Sequence, residues 1–249
     1  MTLEKSFSTL LSMDFRLFEV FINTFSELKK DYVLELRKMA EEKGASVKSV
    51  HPFTSGYESF LLFTDYERRF FDGLEFYRHY FEACNLLGAQ ILVLHGKKED
   101  KRSHLPEELY FEQYLRLYEL GQSYGVTVAQ ENVNLFLSDN PDFIRRMKRF
   151  CKDSIAFVID IKQAVRGGTD PFALCEAMGD KIIHVHMNDN NADSDCLLPG
   201  FGTMDYRRFL SMLKDFHYSG DLITEVYRKS FGGLEELSTA RKTVEDLLD

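Results

Sequence analysis

Paired cysteines, a surplus of basic charge, long apolar runs and low-complexity linkers are all missing from this 249-residue chain. Each absence removes a class of function. The four cysteines, Cys84, Cys151, Cys175 and Cys196, never stand in C-x-x-C spacing. A disulfide framework or a zinc knuckle is therefore not expected, and buried free thiols in a reducing compartment are. No apolar run approaches the roughly 18–20 residues of a membrane span, and the opening stretch MTLEKSFSTLLSM has no signal-peptide pattern. A cytoplasmic protein with no membrane partner is the expectation. The net charge of -9 and a pI near 5.4 weigh against a broad electrostatic grip on nucleic acid, although a local basic groove could sit on an acidic surface. The glycine pair in the RGG of residues 166–168 has no phosphate-loop pattern before it and reads as a flexible loop.

What is present is enough apolar material for a core: 44% of residues are hydrophobic and 29% charged. Short β-branched runs alternate with longer stretches of helical periodicity. FRLFEVFI, SVKSVH, ILVLH, VTVAQE, IAFVID, KIIHVH and DLITEV are the strand candidates. SELKKDYVLELRKMAEEKG, FEQYLRLYELGQSYG and YRRFLSMLKDFHYSG are helix patterns, each finishing at a glycine before the next strand. Strand, loop, helix, glycine, strand is the signature of parallel βα units, and no linker interrupts it. The expected architecture is α/β, one domain over residues 1–249, a TIM (β/α)8-like barrel with seven clear strands. The first strand is lacking, because TLEKSFSTLLSM reads as a helix. Truncation at the N-terminus relative to the barrel plan is one expectation. An open edge that favours self-association into a homo-oligomer is another.

The ends of the strands carry the chemistry. SVKSVH ends on His51, ILVLH on His95, VTVAQE on Glu131, IAFVID on Asp160 and KIIHVH on His186, while DLITEV puts Glu225 beside its end. In a parallel βα barrel these ends share one mouth, where active sites are built. Each residue has an ordinary alternative. Asp160 could N-cap the helix that follows it, and Glu131 could be a buried acid paired with an arginine. Several carboxylates buried together, however, repel or protonate unless a cation joins them, which favours a bound divalent ion.

In their order, QENVN, FVIDIKQA, HVHMND, LPGFGTMDYRRF and ITEVY resemble the xylose isomerase-like TIM barrels, from about Phe15 to the C-terminus. That superfamily holds sugar and sugar-phosphate isomerases and epimerases as well as endonuclease IV-type repair enzymes. Carried over by position, the epimerase pattern implies Glu131, Asp160, His186 and Glu225 as ligands of one divalent ion. Three carboxylates and an imidazole suit Mn²⁺, Mg²⁺ or Co²⁺, with Zn²⁺ also admissible. The resemblance also implies that Glu131 and Glu225 are the catalytic pair, one removing a proton beside a carbonyl and the other returning it. His51 and His95 match histidines that bind substrate in the epimerases and further zinc in the endonuclease group.

One departure bears on function. Family members usually read Asp-x-x-His where this chain has Asp160 to Gln163. Gln163 can hydrogen-bond a sugar hydroxyl but is a poor zinc ligand and no general base. Trinuclear DNA-repair chemistry is disfavoured accordingly. Lys162 could enter the same mouth and meet a substrate phosphate or carboxylate, or it could be a solvated helix cation, and Arg166 shares that ambiguity. His184, two residues before His186, points to the same side but deeper, in a supporting role. Asp189 could orient the ligand histidine or be a solvated turn acid. In the aromatic stretch PFTSGYESFLLFTDYERRFF, Phe53 and Tyr57 are candidates to stack on a sugar face, against the plainer reading of helix core. The chain has no tryptophan, which such pockets often use as a wall. The resulting expectation is a metal-dependent isomerase or epimerase of a sugar, sugar phosphate or related keto-polyol. The alternatives are an endonuclease IV-like zinc hydrolase and a catalytically silent sugar-binding barrel.

Overall fold

The computed structural model describes residues 1–100 and 105–248. All seven expected strands are present: β1 (Leu17–Phe21), β2 (Ser46–His51), β3 (Ile91–Leu94), β4 (Thr127–Glu131), β5 (Phe157–Asp160), β6 (Ile182–Met187) and β7 (Leu222–Thr224). Residues Leu3–Ser12 form the helix that the sequence suggests ahead of them. Its inner face is set by Phe7 and Leu11, four residues apart and both buried.

The chain divides into two compact units. The first comprises residues 1–130 and 149–156. Its strands pair in parallel in sequence order, with Phe21 opposite His51, Val50 opposite Leu92, and Leu94 opposite Gln130. β3 and β4 are almost wholly buried, the pattern of parallel strands covered on both faces. The core of this unit is aromatic, with Tyr77, Tyr80, Tyr110, Tyr114, Phe63 and Phe81 fully enclosed. Buried tyrosines need hydrogen-bond partners. Here Tyr114 donates to the Val128 carbonyl at 2.9 Å and Tyr77 to Glu58 at 2.8 Å.

The second unit comprises residues 131–148 and 157–249. β5, β6 and β7 pair in parallel in that order. Asp160 stands opposite His186 and His186 opposite Ile223, and the Glu225 N–H continues the ladder to the Met187 carbonyl at 3.0 Å. This register sets Asp160 level with His186, and brings Glu225 just past the end of β7, two residues beyond Ile223.

The helix ends follow the expected plan twice and depart from it once. Helices Lys30–Glu42 and Glu107–Ser123 give way to Gly44 and Gly125, both in the left-handed region that glycine adopts freely. Helix Tyr206–Asp215 ends earlier than its pattern suggests, and His217, not Gly220, takes the positive φ. Gly220 answers a different need. A Cβ there would lie 2.9 Å from the Ile183 carbonyl oxygen and 2.6 Å from the Tyr218 hydroxyl.

Candidate active site

In the second unit four strand-end residues meet. The ligand-capable atoms of Glu131, Asp160, His186 and Glu225 all lie within 4.8 Å of one another. His186 Nδ1 is the centre, 3.1 Å from Glu131 Oε1, 3.0 Å from Glu225 Oε2 and 3.7 Å from Asp160 Oδ2. A single imidazole nitrogen can donate only one proton, so it cannot serve three carboxylates at once. Glu131, Asp160 and His186 are buried, whereas Glu225 is 33% exposed and forms the open side.

Lys162 enters the same cluster. It is buried, with Nζ 2.8 Å from Glu225 Oε2 and 3.0 Å from Asp160 Oδ2. Burial by itself would favour the neutral amine, but Asp160 and Glu225 hold the ammonium well above the usual lysine range. Burial pushes the Asp160 carboxyl up to about 6, against the pull of Lys162. Burial opposes ionisation of Glu225 too, yet His186 and Lys162 hold it well below the usual carboxylate range.

Local sequence explains why Asp160 points where it does. Its Oδ1 accepts from the Gln163 N–H at 3.1 Å, capping helix Ile161–Gly167, and from Asn188 Nδ2 at 3.0 Å. With Oδ1 held twice, Oδ2 faces Lys162 and His186. The capping and clustering readings of Asp160 are thus compatible. Asn132 locks the same residue from the backbone side, accepting from the Asp160 N–H at 2.8 Å and donating to its carbonyl at 2.9 Å. Neither Asn132 nor Asn188 stands out in the sequence by residue type. The only signal is position, next to Glu131 in QEN and two residues past His186, on the same side of the chain.

The remaining residues of this unit lie around the cluster. The His184 ring is buried, 5.2 Å from the His186 ring in an edge-on arrangement. Gln163 is half-buried, and its side-chain oxygen accepts from the Asn134 N–H at 3.3 Å. Arg166 Nε donates to Asp195 at 2.6 Å and its Nη1 to the Tyr227 hydroxyl at 2.9 Å. Asp189 is buried and accepts four backbone N–H groups, from Asn190, Gly200, Gly202 and Met204, at 2.8–3.0 Å. It therefore ties down the loop from Asn190 to Met204. Asp189→Ala would strand these donors around a void, and we expect a loss of about 3 kcal/mol in urea unfolding, with faster proteolysis between Asn190 and Met204.

The first unit holds the other strand-end histidines. His51 Nε2 and His95 Nε2 are 3.0 Å apart, a hydrogen bond in which one ring donates and the other accepts. Phe21 stacks on His51 with centroids 4.6 Å apart, and the His51 Nδ1 faces the Ser55 hydroxyl at 3.3 Å. Phe53 is half-buried against Phe76 and Tyr80, while Tyr57 is 66% exposed. Glu58, which sequence reasoning passed over, is completely buried in this unit. It accepts from the Gly96 N–H at 2.5 Å and the Tyr77 hydroxyl at 2.8 Å. Burial pushes its carboxyl up to about 8, against those two hydrogen bonds.

The donor set of the second unit suits a divalent cation on two grounds. Metal–ligand bonds of about 2.0–2.2 Å put opposite ligands a little over 4 Å apart, close to the spread seen here. In charge, three carboxylates against one ammonium leave two negative charges, which one divalent ion neutralises.

Comparison with known proteins agrees with this architecture. The model of the xylose isomerase-like TIM barrel family matches residues 7–248. The inosose isomerase of Bacillus licheniformis is 28% identical over 199 residues, covering 70% of this chain and 68% of that enzyme. The Bacillus subtilis inosose isomerase is 26% identical over 192 residues, covering 67% and 66%. The match thus spans about two thirds of the length of these relatives. Among solved structures, a D-tagatose 3-epimerase-like protein superimposes with a TM-score of 0.80 at 20% identity, covering 99% of this chain and 93% of that one. A D-psicose 3-epimerase gives 0.73 at 16% identity, covering 98% and 84%. At these identities the solved structures establish the fold.

Proposed function

The chain belongs to the xylose isomerase-like TIM barrel family, and from that premise we propose that it is a divalent-metal-dependent isomerase or epimerase of a keto-sugar or cyclic keto-polyol. The observation that carries this reading is the meeting of Glu131, Asp160 and Glu225 on one nitrogen of His186. A protein that merely binds sugar has no use for three acids gathered so closely, because their mutual repulsion weakens the fold. A proton-transfer enzyme does. The relatives named for inosose and for ketohexose epimerisation point to substrates of the same chemistry.

Glu131, Asp160, His186 and Glu225 would hold the ion, which supplies Lewis-acid stabilisation to the adjacent carbonyl and hydroxyl oxygens of the substrate. The protein's own part is to take one proton from the substrate and to give another back. Glu225 is held ionised and partly open to solvent, so it can accept a proton from the carbon beside the carbonyl. Glu131, enclosed at the end of β4, is the second carboxyl group; carrying a proton of its own into the step, it gives that proton to the neighbouring carbon or the opposite face while Glu225 keeps the one it has taken. His51, His95, Phe53, Tyr57 and Gln163 are proposed to bind substrate, with His184 supporting the ligands, while Lys162 lies against Asp160 and Glu225 and Asp189 holds the loop from Asn190 to Met204. An uncharged substrate is favoured over a phosphate. Lys162 is neutralised by Asp160 and Glu225, and Arg166 by Asp195.

Proton abstraction leaves an isotopic record. With Mn²⁺ present in D₂O, an inosose or a ketohexose is expected to gain deuterium at the carbon beside its carbonyl, read by proton NMR. Failure to exchange with any member of a panel of inososes, ketohexoses and their phosphates overturns the proposal.

A further inference from the structure

The feature that the acid cluster alone does not explain is Lys162. A lysine ammonium is compact and strongly hydrated, and enclosing it completely is costly unless anions replace its water. Here they do. Two of the four candidate metal ligands, Asp160 and Glu225, each present an oxygen within 3.0 Å of Nζ. The Tyr227 ring, two residues beyond Glu225, lies with its centroid 5.1 Å from the same atom, adding an aromatic face to the ammonium's surroundings. Lys162 follows Asp160 by two residues on the helix that Asp160 itself caps, so the cation is tethered to one of the ligands it neutralises.

We propose that Lys162 is a built-in counter-cation of the metal centre, which keeps the carboxylates assembled without an ion and lowers the affinity for a divalent ion by sharing the Asp160 and Glu225 oxygens. The inference rests on the reading of these four residues as metal ligands, and it assigns to Lys162 a positioning role rather than contact with a substrate's negative charge. Two consequences follow with opposite signs. Removing the ammonium takes a positive charge away from the ion's neighbourhood, so the ion binds more tightly. It also leaves three carboxylates with less compensation, so the ion-free protein is less stable. A lysine that only filled space would move neither quantity when replaced by a side chain of similar length.

The test is titration of Mn²⁺ by calorimetry into wild-type protein, Lys162→Met and Lys162→Gln, together with thermal melting in excess chelator. Both variants are expected to bind Mn²⁺ at least roughly tenfold more tightly than wild type and to melt at a lower temperature without it. Affinity equal to or weaker than wild type overturns the inference and leaves the metal centre standing. Binding by none of the three proteins overturns the metal reading and the inference together. Should neither variant fold, wild type suffices. The ¹⁵Nζ resonance of Lys162 is expected to shift on saturation with Mg²⁺, and a resonance that stays in place while Mg²⁺ binds overturns the proposal.

Discussion

Glu131→Gln is expected to lower turnover of the proton-exchange reaction by at least about a thousandfold, while the protein melts no lower than wild type in the absence of metal. Glutamine keeps the shape of the side chain and an oxygen that can still face His186 Nδ1, now 3.1 Å from Glu131 Oε1. It removes the charge and the capacity to carry a proton. General acid–base catalysis contributes about 10²–10⁴ in rate, and loss of one anionic ligand adds to that. Stability moves the other way because Glu131 is one of three carboxylates around a single imidazole nitrogen, and deleting one like charge relieves the other two. Steady-state kinetics and melting in chelator check the two halves. A variant that loses stability in step with activity would make Glu131 a structural acid, not a proton carrier.

The same opposition of stability and chemistry explains how much of the protein can be read from its residues. Six of the seven strands are legible as short apolar runs with an ionisable residue at or beside the end, as in FVID and IIHVH, and the first, FRLFEVFI, only as a mostly apolar run. That pattern is local, so it survives without knowledge of the fold. Helix ends are legible where glycine takes the left-handed turn, at Gly44 and Gly125, and not at His217, whose positive φ nothing in its side chain announces. The site is legible in its charged members and silent in its amides. Asn132 and Asn188 aim Asp160 through hydrogen bonds whose partners lie 28 residues away, so no local pattern marks them. Lys162 shows the limit most clearly. Its alternation with Asp160 places it near the acids, but whether its ammonium turns to them or to a substrate depends on Glu225, which arrives from another strand.

Glu58 lay outside that reading altogether, since an acid in SGYESFLLF looks like the wet side of a short helix. Its burial against Tyr77 and Gly96 predicts an unusual pH dependence of stability. The carboxyl sits at about 8 in the folded protein, against an ordinary value of 4.5. Between those two values the folded state keeps the proton and the unfolded state gives it up. The folded state therefore binds more protons, and stability falls as pH rises from about 4.5 to about 8. The stability at stake over that interval is on the order of 3–5 kcal/mol, fully present below it and fully lost above it. Glu58→Gln imitates the protonated acid, keeping an oxygen for the Gly96 N–H and offering an amide to the Tyr77 hydroxyl. We expect the variant to be slightly less stable than wild type at pH 5 and more stable by about 2–4 kcal/mol at pH 8.5, so that the two urea-unfolding profiles cross. Profiles that run parallel across this range would show that Glu58 ionises in the folded protein as it does in water. The consequence reaches the histidine pair. Glu58 holds the Gly96 N–H, and Gly96 has a φ of +85° where any Cβ would meet the Tyr110 hydroxyl and the Gln130 side chain. The backbone just after His95 is thus held by an acid that burial keeps protonated up to about pH 8, and its ionisation above that is expected to show as a fall in wild-type stability that the variant does not share.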